Sequence, residues 1–265
     1  MLEVNVQQLL KAGVHFGHLT RKWNPSMRPY IFMKKGGIHI IDLSKTGVKI
    51  KEAYEPLQRI AASGKKILFV CTKKQGKDIV ASYAEKVGMP HVTERWLGGF
   101  LTNLPTIRKA VKKMNNIDRK KKDGTYDVLS KKERLLIDRS QTKLDRNLGS
   151  IATMTHTPAA LLVVDIKKEH IAVAEAQKLN ISIFAIVDTN SDPKEVDYPI
   201  PANDDSSKSI DLIMAYITEA ITEGLSSRKI DRDKSKSEKE GSEQSVVTLE
   251  EEESDSSNSA VANHE

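Results

Sequence analysis

The sequence predicts an α/β protein in which a parallel sheet is flanked on both faces by helices and an antiparallel helical (coiled-coil) hairpin is inserted. Two observations carry this. From Thr46 onward, short near-continuous apolar segments alternate with helical stretches, the pattern of parallel strands buried on both sides. Residues 102–150 break the alternation with two longer helical patterns separated by Asp123-Gly124.

Taken in order, Asn5 caps a short helix whose apolar stripe, Val6, Leu9 and Leu10, stops at Gly13. The stretch from Val4 to Ile41 contains no acidic residue and is broken by Gly17, Pro25, Pro29, Gly36 and Gly37, so it reads as loop and hairpin. Then follow a helix over 46–62, a strand over 66–71 and a helix over 75–87. A strand over 161–165, a helix over 167–179, a strand over 182–188 and a helix over 206–223 ending at Gly224 complete the alternation. That last helix places Ile210, Ile213, Met214, Ile217 and Ile221 on one face.

The inserted segment carries Leu104, Ile107, Val111, Met114 and Ile117 at spacings of three and four, then Leu136, Leu144 and Leu148. Ser130 and Glu133 form a capping box at the start of its second helix. One narrow apolar seam between two helices is the expected packing. The chain divides into a globular part (1–101 and 151–229, with a basic-aromatic region at 14–43), the hairpin (102–150) and a tail (230–265).

The chain has 265 residues, 38% of them hydrophobic, ample for a buried core. Its longest apolar runs, such as 159–164, fall far short of the roughly 18 residues of a membrane span, and no signal-peptide pattern opens it. Cys71 is the single cysteine, which excludes an intrachain disulfide and a Cys-rich metal site and fits a reducing cytoplasm.

Net charge is +6, yet residues 230–265 hold 4 basic and 11 acidic residues, leaving the rest of the chain at +13. Within it, residues 102–150 hold 14 basic and 6 acidic residues. Such a field attracts polyanions, nucleic acid or an anionic surface. The tail, free of aromatics and rich in Ser, Glu, Lys and Asp, reads as disordered; a solubility tail and an acidic lure that competes with RNA or binds a basic partner are both open for it.

The candidate polyanion contacts fall in four groups. Arg21, Lys22, Trp23, Arg28, Lys34 and Lys35 lie in the acid-free stretch. Lys73 and Lys74 lie between a strand and a helix N-terminus, where ammonium groups and free N–H donors suit phosphate. A plain solvated cap and a mononucleotide pocket are the other readings, although neither a Walker A loop nor a GxGxxG fingerprint is present. Arg95 and Trp96 precede Gly98-Gly99, and a planar ring beside a cation in a flexible loop suits unpaired RNA bases; each Trp is equally read as a packing anchor. Arg108, Lys109, Lys112, Lys113, Arg119, Lys120 and Lys121 form the basic run of the hairpin.

Acidic residues gather at strand ends: Asp165, Asp188, Asp192, Asp204 and Asp205. Because ligands bind at the carboxyl edge of such sheets, a magnesium-dependent phosphate- or nucleotide-handling enzyme using Asp165 and Asp188 is the competing function. Helix caps at Asp165 and Asp205 and turns at 188–190 and 192–193 are the plainer reading. His15 and His18 are three apart, a spacing at which imidazoles can share a metal, and His39 and His156 could approach them; but no glutamate completes an HExxH pattern and no cysteine lies nearby, so packing or RNA stacking is the plainer reading. No GxSxG elbow is present and Cys71 ends an apolar strand, so neither catalysis nor a cofactor nor a metal is expected.

The chain resembles the bacterial small-subunit ribosomal protein S2 family. The likeness rests on Leu10-Lys11-Ala12-Gly13-Val14-His15-Phe16-Gly17-His18 with Arg21-Lys22-Trp23-Asn24-Pro25, Pro29-Tyr30-Ile31 and Gly37-Ile38-His39-Ile40-Ile41-Asp42-Leu43. It continues through Arg95-Trp96-Leu97-Gly98-Gly99 with Leu101-Thr102-Asn103, Asp165 with Lys167-Lys168-Glu169-His170, Ile186-Val187-Asp188-Thr189-Asn190, Asp192-Pro193 and Ile200-Pro201-Ala202-Asn203-Asp204-Asp205. It covers about residues 2–224 in order, departing at Lys73-Lys74, where Lys-Arg is frequent, and at Phe100, where a small polar residue is common.

The resemblance implies a Rossmann- or flavodoxin-like sheet with a protruding helical hairpin and a structural, non-enzymatic role in the cytoplasmic ribosome. It further implies binding to 16S ribosomal RNA on the solvent side between head and body near the messenger exit, contacts with neighbouring small-subunit proteins and a part in docking protein S1. Neither a membrane nor a small-molecule substrate is implied.

Overall fold

The computed structural model describes residues 4–124, 126, 129–152, 154 and 156–230. Apart from Ile230, which is helical, the acidic tail expected to be disordered lies outside the described residues.

Helix α1 (Val6–Lys11) starts as expected, with Asn5 Oδ1 accepting from the Gln7 N–H at 2.9 Å. Strands β1 (Phe16–Leu19), β2 (Ile31–Lys35) and β3 (Ile38–Ile41) then form a small antiparallel sheet in the order β1-β3-β2. Gly36 and Gly37, both at positive φ (59° and 77°), make the two-residue turn between β2 and β3.

The main body alternates helix and strand. Helix α2 (Leu43–Ala62) begins three residues earlier than the apolar pattern suggests, because Asp42 caps it by accepting from the Ser44 N–H at 3.0 Å. Strand β4 (Ile67–Val70), helix α3 (Lys77–Lys86) and strand β5 (His91–Val92) follow. After helices α4 (Leu104–Lys122) and α5 (Lys131–Leu148) come strand β6 (Ala160–Val164), helix α6 (His170–Lys178), strands β7 (Ser182–Val187) and β8 (Tyr198–Pro201), and helix α7 over 207–230.

The five strands β5-β4-β6-β7-β8 pair in parallel throughout. Counted along the chain, their spatial order is 2-1-3-4-5, the doubly wound flavodoxin-like arrangement, with its switch point between β4 and β6. Alternate residues serve the two faces. Ile67 and Phe69 join Leu162, Phe184 and Ile200 in a core closed by α2, α3 and α7, while Leu68 and Val70 join Leu161, Val163 and Val187 in a second core with α6 and the base of α4 and α5.

Two strands escaped the sequence reading, and both lie at the sheet edges. β5 has only two residues, and β8 carries Pro199 and Pro201, which edge strands alone tolerate because one side needs no N–H. Gly224 does not stop the last helix. A Cβ there would come within 2.3 Å of the Gln58 carbonyl oxygen, so this glycine lets α7 press against α2.

Helices α4 and α5 run antiparallel, with Lys121 ion-paired to Asp138 at 2.7 Å and Gln141 donating to Asp118. The capping box is present, with Ser130 and Glu133 bonding each other's backbone N–H. The apolar seam is one-sided. Leu104, Ile107, Met114 and Ile117 are buried on α4 and Leu148 on α5, but Leu136 is 56% exposed, since polar pairs rather than interdigitated leucines join the helices there.

Candidate RNA-binding surface and the strand-end cluster

Fourteen of the seventeen expected contact residues are exposed. On the small sheet and its turns these are Arg21, Lys22, Arg28, Lys34 and Lys35; Trp23 is half-buried, its ring 5.0 Å from that of His39 with the Lys34 ammonium 5.9 Å from its centroid. Lys74 and Arg95 are exposed in the loops after β4 and β5. On α4, Arg108, Lys109, Lys112, Lys113, Arg119 and Lys120 are exposed away from the buried stripe, while Lys121, also exposed, lies on the α5 side paired with Asp138; several of these line a groove of about 710 Å³ that also includes Asn116, Tyr126 and Leu136.

Two expected contacts take other roles. Trp96 is only 8% exposed and packs on Phe100, its indole N–H donating to Glu175 at 3.1 Å. The ring is a packing anchor. Lys73 lies at the switch point with its side chain 12% exposed, its ammonium 3.2 Å from Asp165, 2.7 Å from Asp204 and 2.7 Å from Asp205. Burial alone would depress its pKa, but these three carboxylates outweigh burial and raise it. The ammonium is thus spent on the protein's own carboxylates rather than held out to phosphate.

Asp165 follows β6 at positive φ (67°), one oxygen accepting from the Lys168 N–H at 3.1 Å and the other facing Lys73. Asp192 caps the turn at Lys194 as expected. Asp205 is not the residue that starts the helix: α7 begins at residue 207, and Asn203 forms the turn ahead of it, accepting from the N–H groups of Asp205 and Ser206 at 2.9 and 3.3 Å. Asp204 is fully buried, and burial followed by the nearby Asp188 and Asp165 charges pushes its pKa up to about 7. His18 reaches this edge from β1, its Nδ1 3.0 Å from Asp188 and its pKa raised by that carboxylate against burial. Of the four histidines weighed as a group, His18 joins the carboxylates while His39 packs against Trp23 with the two rings tilted by 34°. Among the described residues, His18, Asp188 and Asp204 are the group able to hold a cation, with one donor atom of each within 4.8 Å of the others.

The family model for ribosomal protein S2 matches residues 9–224. The small ribosomal subunit protein uS2 of Flavobacterium johnsoniae is 65% identical over 231 residues, covering 87% of this chain and 91% of that protein. Its namesakes in Christiangramia forsetii (62% identical, 91% of this chain, 81% of that protein) and Karelsulcia muelleri (64%, 82% and 98%) agree. The chain belongs to the ribosomal protein S2 family.

As an S2 protein it is a structural constituent of the small ribosomal subunit in the cytoplasm, and not an enzyme. The two carboxylates of this S2 chain that suggested a phosphate-handling enzyme are engaged within the protein instead, Asp165 with Lys73 and Asp188 with His18.

Composition-led reading of this S2 sequence missed three organising carboxylates. Glu169, buried after β6, accepts from the Thr72 N–H at 3.0 Å and from its hydroxyl, fixing the loop that carries Lys73 and Lys74. Glu175 accepts from Trp96 Nε1 and from the N–H groups of Gly99, Leu101 and Thr102 at 2.8 to 3.1 Å, shaping the loop beside Arg95. A signal was available: Glu175 shares a helix face with Ala172 and Ala176, where an unpaired charge is not tolerated. Glu94, paired with Lys77 at 3.0 Å and with Arg146, ties α5 to the body, and the Arg146 and Lys77 bonds hold its carboxyl below the usual range.

Proposed function

We propose that this chain binds 16S ribosomal RNA through its exposed cations, with phosphate contacts setting affinity and the shape of the folded RNA setting specificity. The observation that carries this reading is the row Arg108, Lys109, Lys112, Lys113, Arg119 on the face of α4 opposite its buried stripe. Arg21, Lys22, Arg28, Lys34 and Lys35 supply a second patch from the N-terminal part of the sequence, and Lys74 and Arg95 further cations. In the family's setting the RNA lies between head and body on the solvent side near the messenger exit. There the protein contacts neighbouring small-subunit proteins and helps to dock S1.

Phosphate neutralisation favours lysine and arginine on a rigid element, because each ion pair then costs little ordering. Trp23, half-exposed among cations, is the one ring of the expected set suited to stack on a base. The test is quantitative mass spectrometry of a tagged copy across a sucrose gradient before and after a high-salt wash. One copy per small subunit, released by salt, is expected; a protein confined to the free fraction would overturn the reading. Pull-down from nuclease-treated subunits separates the protein contacts, S1 included, from those made through RNA.

A further inference from the structure

We propose that the acidic segment 246–253 of this chain docks in the groove between α4 and α5, where it occupies the hairpin cations until RNA displaces it. The groove, about 710 Å³, has a rim and a floor of different chemistry. Lys109, Lys112, Lys113, Arg119 and Lys120 line it, and among the described residues its one acid is Asp123, 3.8 Å from Arg119. Its floor is apolar: Ile117 and Ile137 reach it, and Leu136 stands 56% exposed in it. Leu136 does not stand alone: with Ile117, Leu129 and Ile137 it makes a contiguous apolar surface in the groove that an apolar group can cover. An RNA backbone would answer the cations and leave this floor wet, whereas an acidic segment with a short apolar stretch answers both.

The tail contains such a segment. Val246, Val247 and Leu249 are the only apolar side chains larger than alanine between Ile230 and Ala260, and Glu250 to Glu253 follow them directly. Residues 243–255 hold six acidic residues and no basic one. Three apolar side chains followed by four carboxylates match an apolar floor bounded by cations, and this complementarity is what points to the tail as the occupant.

The place where the tail leaves the body fits as well. Ile230, at the end of α7, shares a groove with Tyr83, Lys86 and Val87 at the end of α3. On the other side of that helix end, Glu85 and Gly88 share a groove with Asp145 and Arg146 near the base of α5. The tail therefore starts one helix end away from the root of the hairpin. From Asp145 to Leu136 along α5 is about 14 Å at the helical rise of about 1.5 Å per residue. The sixteen residues 231–246 span up to about 50 Å when extended, so the segment reaches the groove within its own chain. Tethering makes the encounter intramolecular, at an effective concentration on the order of millimolar, so a weak contact is enough to fill the groove.

The docking stands on the groove and the tail alone; its competition with RNA rests on the function proposed above. The first experiment therefore contains no RNA. The full-length chain is treated with a carbodiimide, which joins a carboxylate to an ammonium in direct contact, as an equal mixture of isotopically heavy and light protein, and the linked peptides are read by mass spectrometry. Links from Glu250 to Glu253 are expected on Lys109, Lys112, Lys113 and Lys120, within one chain. The paired change Val247→Ser with Leu249→Ser, which leaves the charge intact, should cut their yield at least about 5-fold. Equal yields on remote exposed lysines such as Lys11 and Lys51 would overturn the proposal in favour of a solvated tail. Links between heavy and light chains would overturn it in favour of a second copy, and an unchanged yield in the serine variant would reduce it to diffuse charge attraction.

The second experiment measures affinity of the full-length chain for a 16-base-pair RNA duplex in low salt. Changing Glu250, Glu251, Glu252 and Glu253 to Gln is expected to strengthen binding about 10-fold, and the gain should vanish when Lys109, Lys112, Lys113 and Arg119 are also changed to Gln. Equal affinity of the parent and the neutralised tail would overturn the competition. A duplex that binds neither form would count against the RNA reading of α4 and would leave the cross-links to decide the docking.

Discussion

The indole N–H of Trp96 donates to the Glu175 carboxylate at 3.1 Å, and the same carboxylate gathers the backbone of Gly99, Leu101 and Thr102. One buried charge on α6 therefore sets the path of the chain from β5 into α4, and with it the position of Arg95 and the root of the basic helix. Replacing Glu175 by Gln leaves one oxygen to accept what two ionised oxygens accept now. Hydrogen bonds to a charged group contribute about 1.5 to 3 kcal/mol each, so Glu175→Gln is expected to destabilise by about 2 kcal/mol or more in urea unfolding. An unchanged midpoint would remove Glu175 from this role.

The same carboxylate predicts a pH dependence. Burial raises the Glu175 pKa, but the Thr102, Trp96, Leu101 and Gly99 donors outweigh burial and hold it below the usual value. A folded-state pKa below the unfolded one gives stability that is full above the unfolded value, about 4.3, and is lost as pH falls through the folded value. The stability difference between parent and Glu175→Gln should therefore be constant near neutrality and shrink below about pH 4.3. A difference that is flat down to acid unfolding would contradict the assignment.

What could be read from the sequence, and what could not, follows from the range of the interactions. Strands such as β6 and β7 announce themselves because both faces are buried and nearly every residue is apolar. The Asn5 cap and the Ser130–Glu133 box are equally local. β5 and β8 were invisible because a two-residue strand and a Tyr-Pro-Ile-Pro segment have no periodicity; only the neighbouring strand makes them strands. In the site, the exposed cations were legible from charge alone, whereas the fates of Lys73 and Trp96 depend on Asp204 and Glu175, far away in the chain. His18 had looked like half of a His15–His18 pair, yet its neighbours come from residue 188 onward.

Gly224 offers a case where two effects oppose. Alanine is the better helix former by about 1 kcal/mol, which favours Gly224→Ala in an exposed helix. Here the added Cβ would meet the Gln58 carbonyl oxygen at 2.3 Å and the Ala61 Cβ at 2.9 Å, so α7 must shift off α2. Overpacking of this kind costs about 1 to 3 kcal/mol. Gly224→Ala is expected to lower the urea midpoint; a rise would show that the helix interface yields freely.

Lys73 balances carboxylates rather than phosphate. Removing one partner of a buried ion pair costs about 3 to 5 kcal/mol because the other charges stay behind uncompensated. Lys73→Met should destabilise by an amount near the lower end of that range, because the Asp205 side chain is 54% exposed and water takes over part of its solvation. Combining it with Asp204→Asn should recover part of the loss, whereas a merely additive double variant would show that the two residues are not coupled.

The hairpin cations are separated from structural residues by their exposure, so charge reversal there tests binding without testing the core. Lys109, Lys112, Lys113 and Arg119 are all exposed on α4, and none is part of its buried stripe of Leu104, Ile107, Met114 and Ile117. The quadruple change to Glu is expected to keep the circular-dichroism spectrum and weaken incorporation into small subunits. Every phosphate ion pair removed also reduces the slope of log affinity against log salt by about 1, so the salt dependence should flatten as the affinity falls. Weaker binding with an unchanged slope would mean that these side chains act through protein neighbours, and unchanged incorporation would take α4 out of the mechanism.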